Sequence, residues 1–245
     1  MKNCFKVALA TLALAGMGSA ARADLTLSGA VGLPLNPTAQ IPQQGGGARV
    51  QGNYFNLGNN IKDYGIVGAT RVGDGLEVNG GYTTIRGNGD SRNGLAIGGK
   101  YLFSRETDPV GVRFAVGAGY DRALAKQTYA YGVATKYLGE ATGEKVPITA
   151  HLGLRYDRFS DIDSNKVSVF AGVEVPVTQT GAVQVVGELQ SKNARGGTTP
   201  YSASVRYRPK GQPFGASVGY ARQGLTSNGG VFAQIGYTFG GGASQ

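Results

Sequence analysis

The stretch Tyr201-Ser202-Ala203-Ser204-Val205-Arg206-Tyr207-Arg208 decides the fold. Tyr201, Ala203, Val205 and Tyr207 take one set of alternate positions, and Ser202, Ser204, Arg206 and Arg208 take the other. Side chains of an extended strand point to opposite faces in turn, so this stretch is a strand with one apolar and one polar face. The pattern recurs. Val231, Ala233, Ile235, Tyr237 and Phe239 oppose Phe232, Gln234, Gly236 and Thr238. Val110, Val112, Phe114, Val116, Ala118 and Tyr120 oppose Gly111, Arg113, Ala115, Gly117 and Gly119. Val167, Val169, Ala171, Val173 and Val175 oppose Lys166, Ser168, Phe170, Gly172 and Glu174. Weaker runs begin near residues 48, 61, 76, 93, 127, 146, 183 and 214, which gives about twelve strands.

The two faces identify the solvent. A soluble sandwich fills its apolar side with bulky residues and presents Lys, Glu and Asp to water. Here the second face is mostly Gly, Ala, Ser and Thr with isolated charges. Small, polar residues suit the inside of a closed antiparallel transmembrane β-barrel, and the apolar face suits lipid. Tyr82, Tyr101, Tyr120, Tyr137, Tyr156, Tyr207, Tyr220 and Tyr237 fall near strand ends on the face read as apolar, as an interfacial aromatic girdle requires. The alternative is a soluble barrel or sandwich.

Composition narrows the classes. One Cys and one His leave no disulfide framework and no Cys/His metal site, so neither a metal nor a cofactor is expected. The 42 glycines disfavour long helices and follow no collagen period. Residues 1–23 read as a cleaved signal peptide: Lys2 and Lys6, an apolar core from Val7 to Ala15, then Ala21-Arg22-Ala23. Its removal takes Cys4 and three cations, lowering the net charge from +9 to +6. Dispersed basic residues and an export signal argue against nucleic-acid binding. No apolar run reaches about 18 residues, so no membrane-spanning helix is expected. Outer-membrane lipid, lipopolysaccharide and the barrel assembly machinery are the expected partners.

An even strand number places both termini on the periplasmic side. The turns at 73–75, 104–109, 139–145, 177–180 and 209–213 are then periplasmic and short, while those at 86–92, 157–165, 191–200 and 222–230 face outward and are longer. The barrel is expected over 48–239, between an N-terminal Pro/Gly-rich segment (24–47) and a tail (240–245).

Residues 31–47 do not alternate. Pro34, Pro37 and Pro42 remove backbone donors, which fits either a flexible leader or an ordered segment tucked into the barrel mouth. Gly32-Leu33, Pro37-Thr38-Ala39, Pro42 and Gly45, leading to a strand with Tyr54, resemble the start of YjbH-like outer-membrane proteins. That resemblance implies an association with exopolysaccharide production and export, and supplies no catalytic residues. The terminal Tyr237-x-Phe239 resembles the signal that outer-membrane barrels present to their assembly machinery, displaced here by the tail Gly240 to Gln245.

Candidate chemistry is sparse. His151 shares a face with Arg155, and Ser168 on the next strand is a conceivable nucleophile for a barrel lipid hydrolase. Asp161-x-Asp163-x-Asn165 has the beginning of a calcium loop without its Gly and Glu, which reads as a solvated loop or a weak divalent-cation site. Arg49, Arg71, Lys100, Arg113, Lys136, Arg155, Lys166, Arg206 and Arg208 are assigned to the interior, with Glu77, Glu174 and Glu188. Nine cations against three anions suggest a narrow channel for an anionic solute or polysaccharide. The same charges paired in a closed interior suggest a structural barrel without a passage. No catalytic residue is assigned, and the protein is expected not to be an enzyme.

Overall fold

The computed structural model describes residues 24–42, 47–58, 60–87, 89–104, 111–138, 148–209 and 211–239. The expected signal peptide and the tail 240–245 lie outside these residues. Twelve strands follow one another: β1 (Ala48–Gly58), β2 (Ile61–Val72), β3 (Leu76–Gly87), β4 (Asp90–Ser104), β5 (Arg113–Asp121), β6 (Gln127–Tyr137), β7 (Thr149–Phe159), β8 (Ser164–Pro176), β9 (Val183–Gln190), β10 (Tyr201–Tyr207), β11 (Phe214–Arg222) and β12 (Gly230–Phe239). Each is antiparallel to its chain neighbours, and β12 returns to β1 with Ala48 opposite Phe239, closing the barrel. Closure leaves no sheet edge, the condition for putting strand backbone into lipid.

Outward positions are apolar. Ile235 is 69% exposed, Val167 62% and Leu152 60%, and Ile66, Leu95, Ile97 and Leu154 are alike. An apolar belt around the whole barrel exceeds what a soluble surface tolerates and matches a hydrocarbon layer. Outward rings pair near the end of the barrel that carries the strand termini Ala48 and Phe239: Phe103 with Phe114, Tyr207 with Phe214, and Tyr237 with Phe239. Toward the far end Tyr54 meets Tyr64 and Tyr201 meets Tyr220.

Two details differ from the sequence reading. In β6, Tyr129, Tyr131, Val133 and Thr135 are the buried interior residues. Lys136 therefore faces outward, and Tyr137 continues the interior parity at an exposed strand end. The bulky tyrosines set the strand's phase, and the Lys-Tyr pair at its end misled. The connections also differ. β3 runs to Gly87 with β4 starting at Asp90, and β7 runs to Phe159 with β8 starting at Ser164, so these strands extend into the supposed loops. The far-end connections 191–200 and 223–229 are long, as expected.

The N-terminal segment runs inside the barrel. Leu25, Val31, Leu33, Asn36, Thr38 and Ala39 have no accessible surface to within 1%. The chain doubles back twice: Leu25 bridges Val31, and Gly32 bridges Pro37. Gly29 carries the first reversal with φ +102°, and a Cβ there would sit 2.9 Å from the Gly80 carbonyl oxygen of β3. Only glycine combines that backbone angle with that approach. Leu25 and Val31 pack on Val67 and Ala69, and Leu27 and Leu35 pack on Phe55, Leu57 and Phe232. Ala39 meets Ala115, Tyr129, Tyr131 and Phe170. Residues 24–39 thus form a plug that supplies the apolar partners the wall lacks.

Candidate functional site

The wall grips the plug by its backbone. Glu77 of β3 accepts the Val31 N–H at 3.0 Å, and Lys100 of β4 donates to the Val31 carbonyl at 2.8 Å. The two side chains form a buried ion pair at 3.0 Å. Glu188 of β9 accepts the N–H groups of Leu35 (2.7 Å) and Asn36 (3.0 Å), the Asn36 amide (3.0 Å) and the Ser202 hydroxyl (2.6 Å). Gln51 of β1 both donates to the Leu25 carbonyl (2.9 Å) and accepts the Leu25 N–H (3.2 Å). A segment with no sheet partner must satisfy its buried polar groups in this way.

An ionic chain crosses the terminal end. Asp24 is bound by Arg49 at 2.6 Å, by Arg208 at 3.0 Å and by Arg206. Burial by itself pushes the Asp24 carboxyl up, but Arg206, Arg208 and Arg49 outweigh it and hold the group well below the ordinary carboxylate range. Arg206 continues to Glu174 at 2.8 Å, Glu174 to His151 at 3.2 Å, and His151 Nδ1 to the Thr135 hydroxyl at 2.9 Å. Thr135 in turn accepts the Ala39 N–H at 2.9 Å. The first and last residues of the plug therefore end on one network.

The interior is not net positive. Lys136 faces outward, and Lys166 keeps the interior parity but is exposed at the far rim. Arg71 lies at the terminal end and donates to the carbonyls of Gly73 (2.9 Å) and Asp74. Arg113 begins β5 at that same end. Away from the far rim, the described interior cations are Arg49, Arg71, Lys100, Arg113, Arg155, Arg206 and Arg208. The acids are Asp24, Asp63, Glu77, Asp121, Asp157, Glu174 and Glu188. Seven stand against seven, so the excess read from the sequence is absent. Asp63, Asp121 and Asp157 escaped that reading because they sit near the far strand ends and resemble loop residues. Asp24 escaped it because it precedes any alternating run.

Charge is instead segregated. Most interior cations lie toward the terminal end, while Asp63, Asp121 and Asp157 lie toward the far mouth. Arg155 there is committed to Asp157 at 2.7 Å and stands over the Tyr129 ring at 4.3 Å. Above the plug, a cavity of about 90 Å³ opens, floored by Leu27, Ser28 and Leu35 and walled by Asp63 and Asp121.

The conceivable hydrolase pair is not assembled. Ser168 pairs in register with Arg155 and His151 with Gly172, four positions away along the ladder. At about 3.4 Å per residue that is roughly 13 Å. Ser168 donates instead to the Arg155 carbonyl at 3.3 Å and accepts from Gln190 at 2.7 Å. Asp161 accepts the Lys126 N–H at 3.0 Å and ion-pairs with Arg92 and Lys126, so cationic side chains already occupy the calcium-like loop. Of the girdle tyrosines, Tyr82, Tyr101, Tyr156, Tyr207 and Tyr220 are outward and exposed, Tyr120 and Tyr237 are outward and half-buried, and Tyr137 is off that face.

No protein-family model matches the chain, and no curated protein does. The YjbH-like resemblance of residues 32–54 gains no support from either comparison. Solved structures do match. A structure described as the NanC porin aligns with TM-score 0.55 and 12% identity over 78% of this chain and 98% of its own. The KdgM porin aligns with TM-score 0.52 and 10% identity over 79% and 98%. The fold is that of outer-membrane porins. A further KdgM structure, described as a complex with disordered oligogalacturonate, aligns with TM-score 0.52 and 9% identity over 79% and 98%. The closed twelve-stranded barrel and its apolar belt together make this chain an outer-membrane barrel.

Proposed function

We propose that the protein is a non-catalytic outer-membrane pore closed by its own N-terminal segment, and that it passes small anionic saccharides when residues 24–39 withdraw. The observation that carries this reading is how the plug is held. Beside the Asp24 ion pairs and the apolar contacts, the wall holds the plug through hydrogen bonds to its backbone, from Gln51, Glu77, Lys100, Thr135 and Glu188. Water can replace each of these hydrogen bonds, and the apolar wall that withdrawal uncovers is confined to small clusters such as Val67 with Ala69 and Phe55 with Leu57 and Phe232. Behind the plug the wall also offers Asn53, Asn79, Ser202, Ser204, Ser217 and Gln234, a polar lining suited to a wet lumen.

Withdrawal of Asp24 frees Arg49 and Arg208 of that carboxylate and leaves Arg206 with Glu174. This basic constriction suits carboxylated sugars, the class to which the oligogalacturonate of the KdgM complex belongs. A service to exopolysaccharide export is compatible with the same constriction. Outward Tyr237 and Phe239 remain the proposed contact with the assembly machinery.

Liposome swelling tests the reading. Vesicles carrying a variant lacking residues 24–42 should admit digalacturonate faster than an uncharged disaccharide, and vesicles with the intact chain should admit both slowly. Equal exclusion of both sugars by the deletion variant, folded by its heat-shifted gel mobility, would contradict it.

A further inference from the structure

The cavity above the plug carries a second site. We infer that it binds an organic ammonium ion with a short apolar tail, Asp63 and Asp121 holding the head and the leucines of the plug tips holding the tail.

Asp63 is the anchor. It is 7% exposed, lines the cavity and has no hydrogen-bond or ion-pair partner among the described residues. Asp121 of β5 lines the same cavity, accepts the Ala123 N–H at 2.7 Å through one oxygen and keeps the other. Among the described residues the one cation lining the cavity is Arg155, which is paired with Asp157. A mostly buried carboxylate without a counter-charge is costly, and a second carboxylate facing the same cavity raises that cost. A bound cation removes both penalties.

The lining selects the kind of cation. Calcium takes six to eight oxygen ligands, and no group of three His, Cys, Asp or Glu occurs among the described residues. Leu27, Leu35, Leu124 and Leu225 face the same space as the carboxylates. These leucines reward an alkyl group, which a hydrated metal ion lacks. A primary ammonium presents three N–H donors, and Thr83 adds an acceptor beside the two carboxylates. A volume of about 90 Å³ far exceeds the roughly 10–15 Å³ that one water requires.

The site does not depend on plug movement or on conduction, so its test is independent of the pore reading. Isothermal titration calorimetry of the detergent-solubilised full chain with n-butylammonium chloride should give saturable one-to-one binding, and sodium butyrate and calcium chloride should give none. Asp63→Asn should weaken butylammonium binding by about tenfold or more, and Asp121→Asn by a smaller factor, as loss of charge-assisted hydrogen bonds implies. Absence of saturable binding to the wild-type chain overturns the inference whether or not the variants fold. So does equal affinity in a folded Asp63→Asn variant or a folded Asp121→Asn variant, or preferential binding of calcium.

Discussion

Glu77 and Lys100 lie opposite one another on adjacent strands, their charged ends 3.0 Å apart, and together they hold both polar atoms of one plug residue, Val31. The ion pair is thus both a wall element and the latch of the plug. Removing one partner leaves the other buried and uncompensated, which costs about 3–5 kcal/mol. Lys100→Met should therefore destabilise the docked plug far more than the double change Glu77→Gln with Lys100→Met. Limited proteolysis within residues 24–39, measured for both single variants and the double variant, checks the non-additivity.

The Asp24 cluster predicts a direction in pH. Its carboxyl titrates lower in the folded chain than in the unfolded one. The stabilisation it gives is therefore complete above the unfolded value of about 3.9 and is lost as pH falls through the lower folded value. Plug docking should be insensitive to this group between about pH 5 and 8 and should loosen in stronger acid. Asp24→Asn should show the loosened behaviour already at neutral pH. Protease accessibility of the plug from neutral pH down into strong acid, with an acid-active protease at the low end, is the readout.

The reversal at Gly29 allows a local test. Gly29→Val places a branched side chain against the Gly80 carbonyl and at a positive φ, a conformation costing of order 1–3 kcal/mol for such residues. The plug should loosen while the barrel keeps its heat-dependent gel mobility. Plug proteolysis as slow as in the wild-type chain would contradict the packing described.

The outward face can be tested in lipid. Ile235 is 69% exposed on β12. Ile235→Arg should lower unfolding free energy in vesicles by about 2–4 kcal/mol if the residue lies near the bilayer midplane. Gln212→Arg, in an exposed terminal-end turn, should change it by no more than about 0.5 kcal/mol.

These relationships also mark what a linear reading could reach. Alternation located the twelve strands, because burial of one face and lipid on the other impose period two on every strand. It failed in β6, where Tyr129 and Tyr131 fix the phase and the terminal Lys136-Tyr137 runs against it. It also failed on charge: a carboxylate in the last turn of a strand, such as Asp157 or Asp121, looks like a loop residue until the strand ends are known. The plug was legible only as irregular, Pro-rich sequence. Its path depends on contacts such as Leu35 and Asn36 with Glu188, more than 150 residues away, which no local pattern encodes.

The central claim is that residues 24–39 close a pore. Single-channel recording in planar bilayers, comparing the intact chain with the variant lacking residues 24–42, tests it most directly. The account predicts a closed or briefly opening intact protein and steady conductance from the deletion variant. A correctly folded deletion variant that conducts no ions, or an intact chain that conducts as freely as the variant, would contradict it.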